Sequence, residues 1–110
     1  MKALIIKQPW IDYILEGNKT WEIRGCNTKI RGKVELIQSG SGLVVGSCNI
    51  IDCKEISIEE YANSIDKHNI LNVTSLPYKR TYAWILKDPK RYETPRKYQH
   101  PQGAIIWVNL

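Results

Sequence analysis

The chain has 110 residues and a formal net charge of +5, and its aromatic bulk comes from four Trp and six Tyr with no Phe. A chain of that length holds one domain with one modest core, and 43% hydrophobic with 25% charged residues is the composition of a soluble globular fold. No apolar run nears the roughly 18 residues of a membrane-spanning helix, and Cys26, Cys48 and Cys53 form neither a disulfide-like framework nor a Cys-x-x-Cys zinc spacing.

Ala3-Leu4-Ile5-Ile6 has strand length and is too short for the apolar core of a signal peptide. The expectation is a single cytoplasmic domain over residues 1–110, with no metal, no cofactor and no membrane contact. Pro9 suits a helix start, because its missing N–H is not needed there. Ile11, Ile14 and Leu15 recur at helical spacing, with Asp12 and Glu16 outward, and Gly17 closes the helix. Residues 19–24 read as a strand. Alternation puts Trp21 and Ile23 on one face and Thr20, Glu22 and Arg24 on the other. Lys19 joins the polar face from the bend where helix hands over to strand. Residues 25–32 form a basic loop, and 33–38 a strand with Val34 and Leu36 on one side. Ser39-Gly40-Ser41-Gly42 is a turn. Residues 43–51 are a long strand, with a bulge or close backbone approach at Gly46.

Ser57-Ile58-Glu59-Glu60 has the form of a capping box. It opens one helix with an apolar stripe of Ile58, Tyr61, Ala62 and Ile65. Lys67 and His68 suit its negative end, which puts His68 at the surface. Residues 69–78 lack periodicity. Residues 81–86 alternate as a strand with Tyr82, Trp84 and Leu86 on one face. Pro89, Pro95 and Pro101 then exclude a regular helix or a central strand from 87–102, and 103–110 close the chain as an apolar strand. Five or six short strands with two short helices, not regularly alternating, predict an α+β fold: a small, mostly antiparallel β-barrel or strongly curved sheet.

The net charge is localised. Residues 79–97 hold Lys79, Arg80, Lys87, Lys90, Arg91, Arg96 and Lys97 against Asp88 and Glu93, while the rest of the chain balances nine basic against nine acidic residues. Such a segment either contacts nucleic-acid phosphates or is a solvated basic loop. Tyr78, Tyr82, Trp84, Tyr92 and Tyr98 interleave with the charges, as stacking partners for bases do.

The other concentration of chemistry is Gly17-Asn18-Lys19-Thr20-Trp21-Glu22-Ile23-Arg24. Lys19, Glu22 and Arg24 admit three readings. As catalysts, Lys19 is a base or electrostatic stabiliser and Glu22 an acid/base. As a binding site, Lys19 and Arg24 grip a phosphate or base edge while Glu22 accepts from an exocyclic amine. As structure, Glu22 and Arg24 are an ion pair, worth about 0–1 kcal/mol if exposed. Trp10 is a candidate stacking surface, and Ser39 belongs at the rim of a cleft. Tyr98 and His100 are candidate ligand contacts beside the basic segment. A metal-independent ribonuclease would pair Lys19 or His100 with Glu22.

Gln8-Pro9-Trp10, then Ile14 through Arg24, resembles the pattern of the ASCH domain: an apolar strand, a Pro-Trp-type helix start, a Gly-x-Lys-Thr turn and a Glu/Thr-x-Arg strand. Arg31-Gly32-Lys33-Val34, Val45-Gly46, Tyr82-Ala83-Trp84-Ile85-Leu86 and the run from Pro101 to Val108 continue it in order. The resemblance implies a PUA-like β-barrel with a cleft beside the Lys-Thr strand, and an association with RNA. One branch of the family hydrolyses the acyl-amide of N4-acetylcytidine. It uses the lysine of the turn, a threonine three residues on and a more distant glutamate. Lys19 matches that lysine, but Glu22 stands where the branch has its threonine. Thr20 is the neighbouring hydroxyl, and no residue here is assigned to the distant glutamate. The leading expectation is therefore a protein that binds RNA or a modified nucleoside, with the 79–97 segment supplying phosphate contacts. The alternatives are an amidohydrolase using Lys19 with Glu22 or Thr20, and a protein-interaction module with an exposed apolar patch.

Overall fold

The computed structural model describes all 110 residues. In chain order they form β1 (Lys2–Ile6), α1 (Trp10–Leu15), β2 (Trp21–Arg24), β3 (Gly32–Gln38), β4 (Leu43–Glu55), α2 (Ile58–Ala62), α3 (Ile65–His68), β5 (Tyr82–Lys97) and β6 (Trp107–Asn109). The strands make one mixed sheet in the order β2-β5-β4-β3-β1-β6. Neighbours are antiparallel except β1 and β3, which run parallel with Leu4 opposite Leu36. Parallel neighbours need a long crossover. Here the crossover contains α1 and β2, the segment that carries Lys19, Glu22 and Arg24.

Alternation along the strands sorts the core. Leu4, Ile6, Val34, Leu36, Cys48, Ile50, Tyr82, Trp84 and Leu86 meet Ile11, Ile14 and Leu15 of α1. Ala3, Ile5, Ile37, Val44 and Val108 pack as a second cluster. Trp21, Ile23 and Ala83 are covered by Ile56 and Tyr61 as a third. Each fully buried aliphatic side chain contributes about 1.5–3 kcal/mol relative to exposure.

Four elements depart from the sequence reading. The helix expected after Ser57 is two helices. The side chain of Ser57 does cap α2, accepting from the Glu60 N–H at 3.1 Å. Asn63 and Ser64 then leave helical geometry, as residues that compete for their own backbone do. Left-handed Asn69, at φ 60°, ends α3. His68 is not on the surface: it is fully buried and stacks on Tyr61 with ring centroids 4.6 Å apart. Residues 87–97 are strand, despite Pro89 and Pro95. Both prolines lie where the β4–β5 register shifts, between Lys87 and Lys90 and between Arg91 and Arg96, so neither has to donate to the ladder. β2 covers β5 only from Tyr82 to Ile85, so the rest of β5 is an edge. The last strand is short, Trp107–Asn109, because residues 103–106 turn along the rim of a cleft.

Candidate functional site

Lys19 is aimed by the end of α1. The Asn18 N–H donates to the Tyr13 carbonyl and the Gly17 N–H to that of Ile14, both at 3.0 Å. This paired closure needs a left-handed residue, and Gly17 supplies it at φ 85°. The chain thus reverses immediately before Lys19. Thr20 is then pinned by its backbone, its N–H donating to Lys67 at 2.8 Å and its carbonyl accepting from Leu86 at 2.7 Å. The Lys19 side chain runs inward and is only 2% exposed. Its ammonium donates to the carbonyl of His68 at 2.5 Å and lies 4.9 Å from the Trp10 ring centroid. Buried His68 sets that carbonyl in place. Its Nδ1 accepts from the Ile70 N–H at 3.0 Å, so Nε2 carries the proton and donates to the Tyr61 carbonyl at 2.6 Å. Burial lowers the His68 pKa, which keeps this neutral arrangement.

β2 supplies the other two charges. Arg24 Nε donates to Glu22 Oε2 at 2.9 Å, and Arg24 Nη2 donates to the Ile5 carbonyl at 2.8 Å. The guanidinium carbon stands 5.6 Å from the Trp84 ring centroid. Glu22 is buried, and its Oε1 lies 3.9 Å from Lys19 Nζ, near enough for attraction and too far for a hydrogen bond. Burial is the main influence on Lys19 and brings its pKa down from 10.5 to about 8, with Glu22 opposing and Arg24 assisting. Cys48 behind them is pushed up to about 12 by burial and then by Glu22, so its thiol stays protonated.

These side chains line a cleft of about 530 Å³, a size suited to a small organic ligand. Lys19, Glu22 and Arg24 form one wall with Trp10, and Ile5, Ile23, Ile70, Pro77 and Tyr78 add apolar and aromatic surface. Lys7, Ser39 and Gly40 close it where β1 meets the β3–β4 turn, and His100, Ala104 and Ile105 form the remaining rim.

Of the residues singled out by sequence, Trp10, Lys19, Glu22, Arg24, Ser39 and His100 meet in this cleft. Thr20 is exposed and lines a separate, smaller cavity of about 190 Å³ behind Lys19. Tyr98 does not line the cleft. Its hydroxyl donates to His100 Nδ1 at 2.6 Å, while His100 Nε2 donates to the Ala104 carbonyl at 2.9 Å. Both nitrogens of His100 are thereby engaged in holding the rim. The seven basic residues of 79–97 lie outside the cleft. Arg80 pairs with Glu55, Arg91 with Asp12 and Arg96 with buried Glu35, whereas Lys79, Lys87, Lys90 and Lys97 have no carboxylate partner. The sequence reading missed Lys7, and it grouped Tyr78 with the aromatics of the basic segment rather than with the Lys19–Arg24 stretch. Lys7 carries no motif, and Tyr78 reaches the cleft because Gly25 leaves room: a Cβ there would sit 2.8 Å from the Tyr78 ring.

Comparison with known proteins agrees with this architecture. The structure of the ASCH protein from Zymomonas mobilis superposes with a TM-score of 0.74 at 13% identity, covering 92% of this chain and 82% of that one. A tyrosine-to-phenylalanine mutant of the same protein gives 0.73 at 12% identity over 92% and 85% of the two chains. A serine-to-alanine mutant gives 0.72 at 13% over 99% and 87%. At such identities the likeness establishes the fold, a small PUA-like barrel. No curated protein sequence matches the chain. The ASCH domain family model matches residues 4–96, a span that holds the Gly17–Arg24 stretch and all of the cleft lining except His100, Ala104 and Ile105, and the chain belongs to the ASCH domain family.

Proposed function

We propose that the cleft binds one base of an RNA or a modified nucleoside, with Lys19, Glu22 and Arg24 reading its polar edge. The observation that carries this reading is the meeting of two donors and one acceptor beside aromatic surface in a single solvent-open cleft. A nucleobase presents that complement: an acceptor–donor edge on a flat apolar face. Trp10 and Tyr78 offer the stacking surface. Calorimetric titration with cytidine, N4-acetylcytidine and a short single-stranded RNA tests it. Lys19→Ala and Glu22→Gln should each weaken binding about 10–100-fold, as expected for lost hydrogen bonds to charged groups. Affinity should also fall above about pH 8, where Lys19 loses its proton. Absence of binding to all three ligands, or affinities untouched by both substitutions, overturns the reading.

A second reading rests on the lowered pKa of Lys19, which leaves part of it neutral near pH 8. In that form it can take a proton from a water attacking the acyl carbon of N4-acetylcytidine, releasing acetate and cytidine. Glu22 would serve as its charged partner rather than as a hydroxyl nucleophile. Chromatography after incubation decides between the readings: no cytidine, or equal cytidine from Lys19→Ala, leaves binding alone.

A further inference from the structure

The ionisable lining of the cleft is unbalanced. Lys7, Lys19 and Arg24 face it with Glu22 as the single carboxylate. Glu22 is engaged by Arg24 at 2.9 Å and attracts Lys19 from 3.9 Å, so the base-reading wall partly neutralises itself. Lys7 has no such compensation. It makes no salt bridge, and its side chain makes no hydrogen bond. Lys7 is exposed, and a neutral nucleoside would bring no counter-charge to it.

The surroundings of Lys7 are unspent donors. β1 ends at Ile6, whose carbonyl accepts from the Ser39 N–H at 2.9 Å, and Gln8 Nε2 donates to Gln38 Oε1 at 3.2 Å. The β3–β4 turn is therefore sewn to the residues on both sides of Lys7. Within that turn the Ser39 hydroxyl makes no bond, and the Gly40 N–H donates to no backbone carbonyl. Gly40 has φ 79° and nothing within 4 Å of the place a Cβ would occupy, so its backbone stands open to an approaching group. A lysine, a free hydroxyl and a free backbone N–H on one cavity wall are the donor set for a phosphoryl group.

We propose that Lys7, Ser39 and Gly40 form a phosphate subsite at one end of the cleft, so that its ligand is a phosphorylated nucleoside rather than a neutral one. This inference rests on the base-binding reading of the same cleft. The phosphate is either the terminal group of a mononucleotide or an internal diester of RNA, and both present non-bridging anionic oxygens to the three donors. A terminal phosphate carries more charge near neutral pH and leaves all its non-bridging oxygens free, while a diester must thread on past the turn.

Amide-resolved NMR separates the possibilities. The probes are inorganic phosphate, cytidine, N4-acetylcytidine, the 5′-monophosphates of both, and a cytidine dinucleotide with one internal phosphate. Inorganic phosphate and the monophosphates should shift the Ser39 and Gly40 amides, and each monophosphate should bind about tenfold or more tightly than its nucleoside. Lys7→Ala should erase most of that ratio, whereas Lys7→Arg should retain it. Shifts confined to the Lys19–Arg24 wall, with nucleoside and nucleotide bound equally, overturn the subsite and leave the base-binding reading standing. Phosphate shifts at Ser39 and Gly40 without nucleoside binding do the reverse. A dinucleotide stronger than the monophosphate assigns the subsite to an RNA diester, and a weaker one to a terminal phosphate. No shift from any probe overturns both.

Discussion

A single buried ammonium dominates the chemistry at the residue scale. Lys19 is held by one carbonyl, one aromatic face and a carboxylate 3.9 Å away, and that set does not fully replace water. Its pKa therefore falls from 10.5 to about 8 on folding. Between those values the unfolded chain binds the proton and the folded chain does not, so stability rises with pH across that window. The penalty of the buried charge is fully present below about pH 8 and relieved by about pH 10.5. Wild-type stability measured against Lys19→Met should increase on the order of 3 kcal/mol between pH 7 and pH 11. Urea unfolding of both proteins across that range checks this, and a constant difference would mean that Lys19 keeps its ordinary affinity for the proton. The sequence marks Lys19 as a candidate through its turn and its neighbours. It does not show the His68 carbonyl, because that contact spans 49 positions and depends on a histidine being buried.

Among the elements, two glycines hold different things in place. Gly46 sits in β4 where a Cβ would lie 2.3 Å from the Lys90 carbonyl oxygen and 2.6 Å from Leu15 Cδ2. Backbone cannot yield as a side chain does, so Gly46→Ala should destabilise the fold by about 3 kcal/mol, the upper end of ordinary overpacking. Gly25 is crowded only by the Tyr78 ring, which is half exposed and free to swing. Gly25→Ala should change stability by under about 1 kcal/mol while displacing Tyr78 from the cleft and weakening ligand binding. Thermal unfolding together with titration distinguishes the pair. A large stability loss in Gly25→Ala, or none in Gly46→Ala, contradicts these roles. The alternation of β2 and the close approach at Gly46 are legible in sequence, since period two and an interrupted strand are local signals. The strand through Pro89 and Pro95 is not, because bulges that excuse a proline are set by the partner strand.

For the whole molecule, folding redistributes a charge that composition had placed in one segment. Arg80, Arg91 and Arg96 meet acidic partners from β4, α1 and β3, which leaves Lys79, Lys87, Lys90 and Lys97 as the unpaired cations of that region. If this edge contacts single-stranded RNA, each neutralised phosphate adds about −0.7 to the slope of log affinity against log salt. Replacing the four lysines by Ala should flatten the slope by about 3, while Arg80→Ala with Arg91→Ala should leave it nearly unchanged. Fluorescence titration over a salt series measures both. An arginine effect as large per residue as that of the lysines would show that the ion pairs open on binding.

Some of this was determined by the sequence alone. Periodicity, capping residues and turn glycines are local, and they specify the first three strands, the start of α2, the close of α1 and the polar face of β2. The ordered motifs likewise point to the family. Only the tertiary structure decided the rest. It split the second helix, buried His68, carried β5 past its prolines and moved Thr20 out of the cleft. It also brought Lys7, Ser39, Tyr78 and His100 to the Lys19–Arg24 wall. The physical reason is range: these outcomes depend on which distant strand or carbonyl satisfies a backbone group or covers a ring, and residue spacing does not record that.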